Sequence, residues 1–191
     1  MNAPTLVSEA SVSSAPPPAW YVAPVLHIPN AVLQTYWQTL YMHDTLKYRL
    51  CEVEDPTWSD VKEMIQQTGP HFQMCALVSQ EGEVQAEFAL DNFTGQSARI
   101  HFSMHPKLTF KEKLLVGQTT LQYLFHELRH PNTKDPFLRS VYGLTPMSNR
   151  VACIFALKAG FKKTGVLPGG IKYLGKTDDA MISVATRETL T

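Results

Sequence analysis

The stretch Ser140-Val-Tyr-Gly-Leu-Thr-Pro146, running on through Met147-Ser-Asn-Arg-Val-Ala-Cys-Ile-Phe-Ala-Leu-Lys-Ala-Gly-Phe161 to Lys162-Lys-Thr-Gly-Val-Leu167, decides the fold. Its first seven residues mix β-branched, aromatic and small side chains and end in Thr-Pro, which predicts a short strand. Ser148 or Asn149 then caps a helix whose Val151, Ala152, Ile154, Phe155 and Ala159 fill one broad apolar face. Gly160 stands where a left-handed C-terminal cap is wanted, and Phe161 leads straight into a strand from Lys162 to Leu167. A strand, an Asn at a helix start, a short amphipathic helix, Gly-Phe and a return strand make a compact βαβ-like unit.

Upstream, Trp20 to Ile28 alternates well enough for a first strand, with Pro24 marking an edge or a bulge. Asn30 is placed to cap a helix carrying Val32, Leu33, Tyr36, Trp37 and Leu40. Pro56-Thr57 opens another, with Val61, Met64 and Ile65 on one side and a reciprocal cap between Thr57 and Asp60. Three alternating strands follow as an antiparallel meander. Phe72, Met74, Ala76 and Val78 share a face; a turn at Glu81-Gly82 leads to Val84, Ala86, Phe88 and Leu90; a loop through Asn92 and Gly95 leads to Ala98, Ile100, Phe102 and Met104. A long helix is expected from about Thr109 to His130, with Phe110, Leu114, Leu121, Phe125 and Leu128 along a stripe, Gly117 allowing close approach to a sheet, and Pro131 as the stop.

With 191 residues and 44% hydrophobic content the chain suits one domain with a proper core. Residues 1–19, rich in Ala, Ser and Pro, read as a disordered arm, and residues 20–191 as the domain. Seventeen basic residues balance seventeen acidic ones, so the long-range field that gathers nucleic acid or acidic membrane is missing, and neither partner is expected. Cys51, Cys75 and Cys153 are odd in number and set in apolar segments, which suits reduced thiols in a cytoplasm. No apolar run approaches the roughly 20 residues of a membrane span, and the N-terminus lacks a signal-peptide pattern.

Asn149, Ala152, Gly160 and Phe161 match an Asn, a small residue one turn on, then Gly-Phe at the helix end; Gly165-Val-Leu-Pro-Gly169 and Asp178-Asp-Ala-Met-Ile182 look like two closing strands. In these residues the chain resembles the GNAT superfamily of N-acetyltransferases. The resemblance implies an α+β (α/β) acyl-CoA N-acyltransferase fold, with a central mixed, mostly antiparallel sheet flanked by helices in the order β-α-α-β-β-β-α-β-α-β-β. It implies acetyl-CoA as co-substrate and an amine, on a small molecule or a protein, as acceptor. Asn149 in such a domain lies beside the coenzyme A arm.

The same resemblance puts the coenzyme A pyrophosphate on backbone N–H groups at the start of the long helix, where a helix dipole and glycines favour it. Met104, His105 and the turn from Thr109 to Leu114, with Lys111 and Lys113, are the candidate cofactor-binding residues. Here both small positions of the family pattern are lost. Thr109 and Glu112 instead have capping-box spacing, which puts a negative charge where phosphates would sit. The Tyr that many GNAT enzymes carry seven residues after the Asn is replaced by Ala156, with Tyr142 and Tyr173 as candidate stand-ins on neighbouring strands. Removing a proton from the acceptor amine usually takes a carboxylate or imidazole acting directly or through water; the candidates are Glu87 in one strand and His101 or Ser103 in the next, the last two leaving the sheet opposite Ile100 and Phe102. Acceptor contacts would come from Tyr36, Tyr41, His43, Asp44 and Trp58, on and after the first helices.

His126-Glu-Leu-Arg-His130 has the H-E-x-x-H spacing of zinc hydrolases. At about 100° per residue its imidazoles point away from the apolar stripe, and Pro131 ends the helix before a third ligand, so a solvated helix end near the C-terminal dipole is the better reading and no metal is expected. Two functions follow from these residues. One is an acetyl-CoA-dependent N-acetyltransferase. The other is a GNAT-like fold that has lost catalysis and acts as a binding or structural part with a protein partner, similar to GNAT-like proteins of tailed bacteriophages, in the host cytoplasm or the virion.

Overall fold

The computed structural model describes residues 20–46, 56–69, 71–130 and 133–190. The arm 1–19, Cys51 and Pro131 lie outside them. The elements run β1 (Trp20–Pro24), α1 (Asn30–Met42), α2 (Trp58–Gln66), β2 (Gln73–Ser79), β3 (Val84–Thr94), β4 (Ser97–Met104), α3 (Phe110–Gln122), β5 (Ser140–Pro146), α4 (Arg150–Ala159), β6 (Lys162–Tyr173) and β7 (Lys176–Thr186). This is the expected order. The strands form one sheet, β1-β2-β3-β4-β5-β7-β6, antiparallel except between β4 and β5.

The sheet separates two apolar layers. Leu77, Ala86, Phe88, Leu90, Ala98 and Ile100 pack under α3 and α4 with Val116, Leu121, Phe125, Ala156 and Met181. Met74, Ala76, Val78 and Ala89 pack with Leu33, Tyr36, Trp37, Leu40, Val61 and Ile65 of α1 and α2 on the other side. Each large side chain fully buried here contributes roughly 1.5–3 kcal/mol. Alternation therefore assigns faces directly, apart from one break. Leu77 pairs with Ala86 but Val78 pairs with Val84, so a bulge at Gln85 sends Val84 to the α1/α2 layer rather than the face of Ala86 that strict alternation predicts.

Several expected boundaries move for local reasons. β1 ends at Pro24, and Val25–His27 is a 3₁₀ turn. Pro29, not Asn30, is the N-cap of α1, without a side-chain bond. The Thr57–Asp60 capping box forms as expected. On α4, Asn149 is the cap, but Val151 and Ile154 are 68% and 49% exposed, so the buried side of that helix is Ala156 and Ala159 with Phe155. Gly117 brings α3 against Phe155 of α4, not against the sheet: a β-carbon there would lie 2.8 Å from Phe155 Cζ. Gly160, at φ 120°, ends α4 as the glycine there suggests.

The long helix also stops short of His130. After Gln122 a π-helical turn, Tyr123–Glu127, absorbs the chain, and Leu128 is extended. Phe110, placed on the apolar stripe, is 40% exposed under Lys158 Nζ at 5.8 Å. His130 therefore stacks on Phe137 in the following loop, with ring centroids 6.2 Å apart, and no helix dipole acts on it. His126 faces Arg187, and the two imidazoles do not share a helix face. Among the described residues no helix is long and apolar enough to cross a membrane.

Candidate active site

The site begins where two parallel strands part. β4 and β5 pair only at Ser97–Ser140, Ala98–Val141 and Arg99–Tyr142. Beyond that rung β4 stays bonded to β3 through Met104, and β5 to β7 through Pro146. The facing edges of Ile100–Met104 and Gly143–Pro146 are thus left as a wedge with unpaired ladder groups, which an extended amide-bearing chain can bond as an added strand does.

Helix α3 starts at the open end of the wedge, one short loop after Met104. His105 N–H bonds Gln85 carbonyl at 2.8 Å and fixes the turn. The capping box is formed: Thr109 N–H and hydroxyl donate to Glu112 Oε2 at 2.8 and 2.7 Å, and Glu112 N–H donates to Thr109 Oγ1 at 3.3 Å. These bonds, the Thr109 hydroxyl first, hold the Glu112 carboxyl below its usual range. The first intrahelical bond is Lys113 N–H to Thr109 carbonyl, so the N–H groups of Phe110 and Lys111 remain as donors. Lys107, Lys111, Lys113 and, over Phe110, Lys158 surround this helix end with positive charge. Burial, then the Lys107 charge, keeps His105 below the ordinary imidazole value. The turn is therefore electropositive, with one carboxylate already drawn into it.

Across the wedge, Asn149 uses Oδ1 to accept Ala152 N–H at 3.1 Å, so its cap role is real and its amide NH₂ remains available. Ala156, the position of the missing Tyr, is buried in the core. Tyr142 stands beside Arg99 on the last rung and on the α1/α2 face, since its neighbour Val141 lies in the α3/α4 layer. Tyr173 is no stand-in: β6 is separated from β5 by β7, which puts it two strands from the wedge.

Glu87, His101 and Ser103 share the α1/α2 face, opposite Ile100 and Phe102, as the alternation of β4 requires. Glu87 is 1% exposed and pairs across the ladder with Ser103, whose Oγ accepts the Tyr36 hydroxyl at 3.2 Å. His101 is one third exposed and reaches Asp91 Oδ2 from Nε2 at 3.1 Å. Asp91 in turn accepts Arg99 Nε and Nη2 at 2.7 and 2.6 Å, a bidentate pair. Burial pushes the Asp91 carboxyl up, but the bonds from Arg99 and His101 outweigh it and hold the group well below the usual carboxylate range. Of the acceptor-side residues, Tyr36 joins this cluster and lies 6.3 Å from His105 between ring centroids, while Tyr41 is exposed and Trp58 packs into the α1/α2 core. Asp91 and Arg99, which bond into this cluster, were not singled out from the sequence. Their signal was an opposite-charge pair flanking the Gly95 turn, at positions that a hairpin brings face to face.

No family model matches the sequence, and no curated protein matches it. Solved structures do match in shape. The spermidine N-acetyltransferase of Vibrio cholerae, in complex with CoA and spermine, aligns with a TM-score of 0.69 at 13% identity, covering 90% of this chain and 98% of that one. A GNAT-family acetyltransferase from Bacillus anthracis aligns at 0.69 and 16% identity over 89% and 96%. The ribosomal-protein-S5-alanine acetyltransferase of Vibrio fischeri aligns at 0.64 and 11% over 91% and 96%.

Proposed function

The chain has the GNAT acyl-CoA N-acyltransferase fold, and we propose that it is an acetyl-CoA-dependent N-acetyltransferase acting on an amine of a small molecule or a protein. The observation that carries this reading is the wedge after the Arg99–Tyr142 rung, with the start of α3 at its mouth. An enzyme of this kind needs a slot for an extended thioester arm and an anion site at the end of that slot, and the open wedge with the lysine-rich start of α3 at its mouth supports that reading. Phe110 and Lys111 N–H, Lys111 and Lys113 meet the phosphates; the edges of Met104 and His105 and the Asn149 amide hold the arm; His101 or Glu87 receives the amine proton from the α1/α2 side. Tyr142 offers the departing thiolate a hydroxyl on the same face. The neighbour solved with spermine makes polyamines a sensible first acceptor class.

One observation favours the second reading, a binding or structural GNAT-like protein. The Glu112 carboxylate already occupies the end of α3 on which phosphates would rest. Calorimetric titration with CoA and acetyl-CoA, on the native chain and on Glu112→Gly, separates the two. Micromolar binding by the native chain supports the enzyme. No binding by the native chain, with binding gained in Glu112→Gly, supports a protein that has closed its own anion site.

A further inference from the structure

Resting on the acetyltransferase reading, we propose that Asp91 is the positioning residue of the general base, fixing the His101 imidazole with its proton on Nε2 and its lone pair on Nδ1. Three observations converge. Asp91 Oδ2 lies 3.1 Å from His101 Nε2, and the carboxylate has only acceptors to offer. A neutral imidazole bonded to it through Nε2 must therefore donate from that atom, leaving Nδ1 as the acceptor. Arg99 clamps the same carboxylate through two bonds, so Asp91 cannot turn away from the imidazole without breaking an ion pair.

The placement on the fold gives this arrangement its use. Asp91 and Arg99 are a cross-strand pair just before the bulge that ends regular β3–β4 pairing, and Asn92 next to it has φ 49°. Arg99 also forms the last β4–β5 rung with Tyr142, and His101 is two residues further, on the first open stretch of the β4 edge. The imidazole is thus held at the point where the wedge opens, on the face of α1, and is one third exposed. In the transfer step the amine lone pair forms the N–C bond to the acetyl carbon and the C–S bond breaks with its electron pair on sulfur. The amine proton passes to His101 Nδ1 and the thiolate takes its proton from the Tyr142 hydroxyl; the imidazolium then releases its proton to solvent and the tyrosinate takes one up from it. Glu87, buried at 1% exposure, is then a structural member of the cluster and not the base.

The test reads the imidazole and the turnover separately. Long-range proton–nitrogen spectra of the ¹⁵N-histidine-labelled protein report the tautomer without any substrate; the Nε2–H form is expected in the native chain. Asp91→Asn, whose carboxamide can donate as well as accept, should mix the tautomers and lower kcat by tenfold or more with KM little changed, a general base being worth roughly 10²–10⁴. Asp91→Glu should recover part of kcat. A native His101 that carries its proton on Nδ1, or an Asp91→Asn enzyme with native kcat, overturns the proposal. A native chain that transfers no acetyl group sinks the acetyltransferase reading and the catalytic role with it; the tautomer tells that failure from failure of the Asp91–His101 pair.

Discussion

Gly117 on α3 faces Phe155 on α4 with no room for a side chain between them: a β-carbon at 117 would lie 2.8 Å from Phe155 Cζ and 3.2 Å from Ala159 Cβ. Phe155 is itself wedged on Phe102 of β4, edge to face at 5.9 Å between centroids. The contact thus ties the two helices that flank the wedge to the strand that forms one of its walls. Gly117→Ala has to push this stack apart, and an overpacking cost of about 1–3 kcal/mol is expected in urea unfolding. A neutral or stabilising effect would mean that α3 and α4 are not in this register.

Substitution can separate the cap that Asn149 forms from the coenzyme A contact proposed for it. Asn149→Ala removes the bond to Ala152 N–H and should cost about 1 kcal/mol, or about 2–4 °C in Tm for a chain of this size. Asn149→Asp keeps an equally good cap but removes the amide NH₂. Its Tm should stay near native while CoA affinity, read by calorimetry, falls; unchanged affinity would leave Asn149 as a cap alone.

The acid limb of stability should carry the signature of Asp91. Its folded-state pKa is depressed below the unfolded value, so its contribution is present above the ordinary carboxylate pKa of about 3.9 and is lost as the pH falls toward the folded value. The Tm difference between the native chain and Asp91→Asn is expected to be largest above about pH 5 and to shrink below about pH 4. A difference that does not vary with pH would show that the Arg99 and His101 bonds do not act on the ionised carboxylate.

Burial, and then the nearby Glu87 charge, pushes the Cys75 thiol up to about 12. Burial first, with the Asp178 charge, also raises Cys153. Iodoacetamide acts on thiolates, so mass mapping after treatment at pH 8 should find Cys75 unmodified in the folded protein and alkylated in urea. Rapid labelling of folded Cys75 would contradict its packing against the α3/α4 layer of the sheet.

Much of this fold was legible because its signals are local. Asn149, Gly160 and Phe161 announce the closing helix, and the alternation of Met74 to Val78 and of Ala98 to Met104 gives the strand faces without any knowledge of partners. The Thr109–Glu112 box, too, could be read at three-residue spacing. What failed needed tertiary information. The bulge at Gln85 that turns Val84 over is set by pairing with β2. The π turn that ends α3 before His130 depends on how Leu124 and Phe125 enter the core. Val151 and Ile154 have the residue type of a core and the position of a surface, because α4 lies against small Ala156 and Ala159 instead. His101, Tyr142, Met104, His105, Thr109, Lys111, Lys113 and Asn149 fall on elements that border the wedge or the turn beside it, while Glu87 lies one strand away on β3, paired with Ser103. The Asp91–Arg99 pair stayed hidden since its members are eight residues apart and meet only through the hairpin.

The measurement that bears most directly on the central reading is acetyl transfer itself: the purified full-length chain with acetyl-CoA and spermine, spermidine or peptide amines, followed by thiol release together with the mass of the amine product. The account predicts acetylated amine in step with released CoA, with the release abolished or strongly slowed in His101→Ala and retained in Lys134→Ala, far from the wedge. No acetylated product from any amine class, combined with no CoA binding by the native chain, would contradict it and leave a GNAT fold whose Glu112 has taken the place of the phosphates.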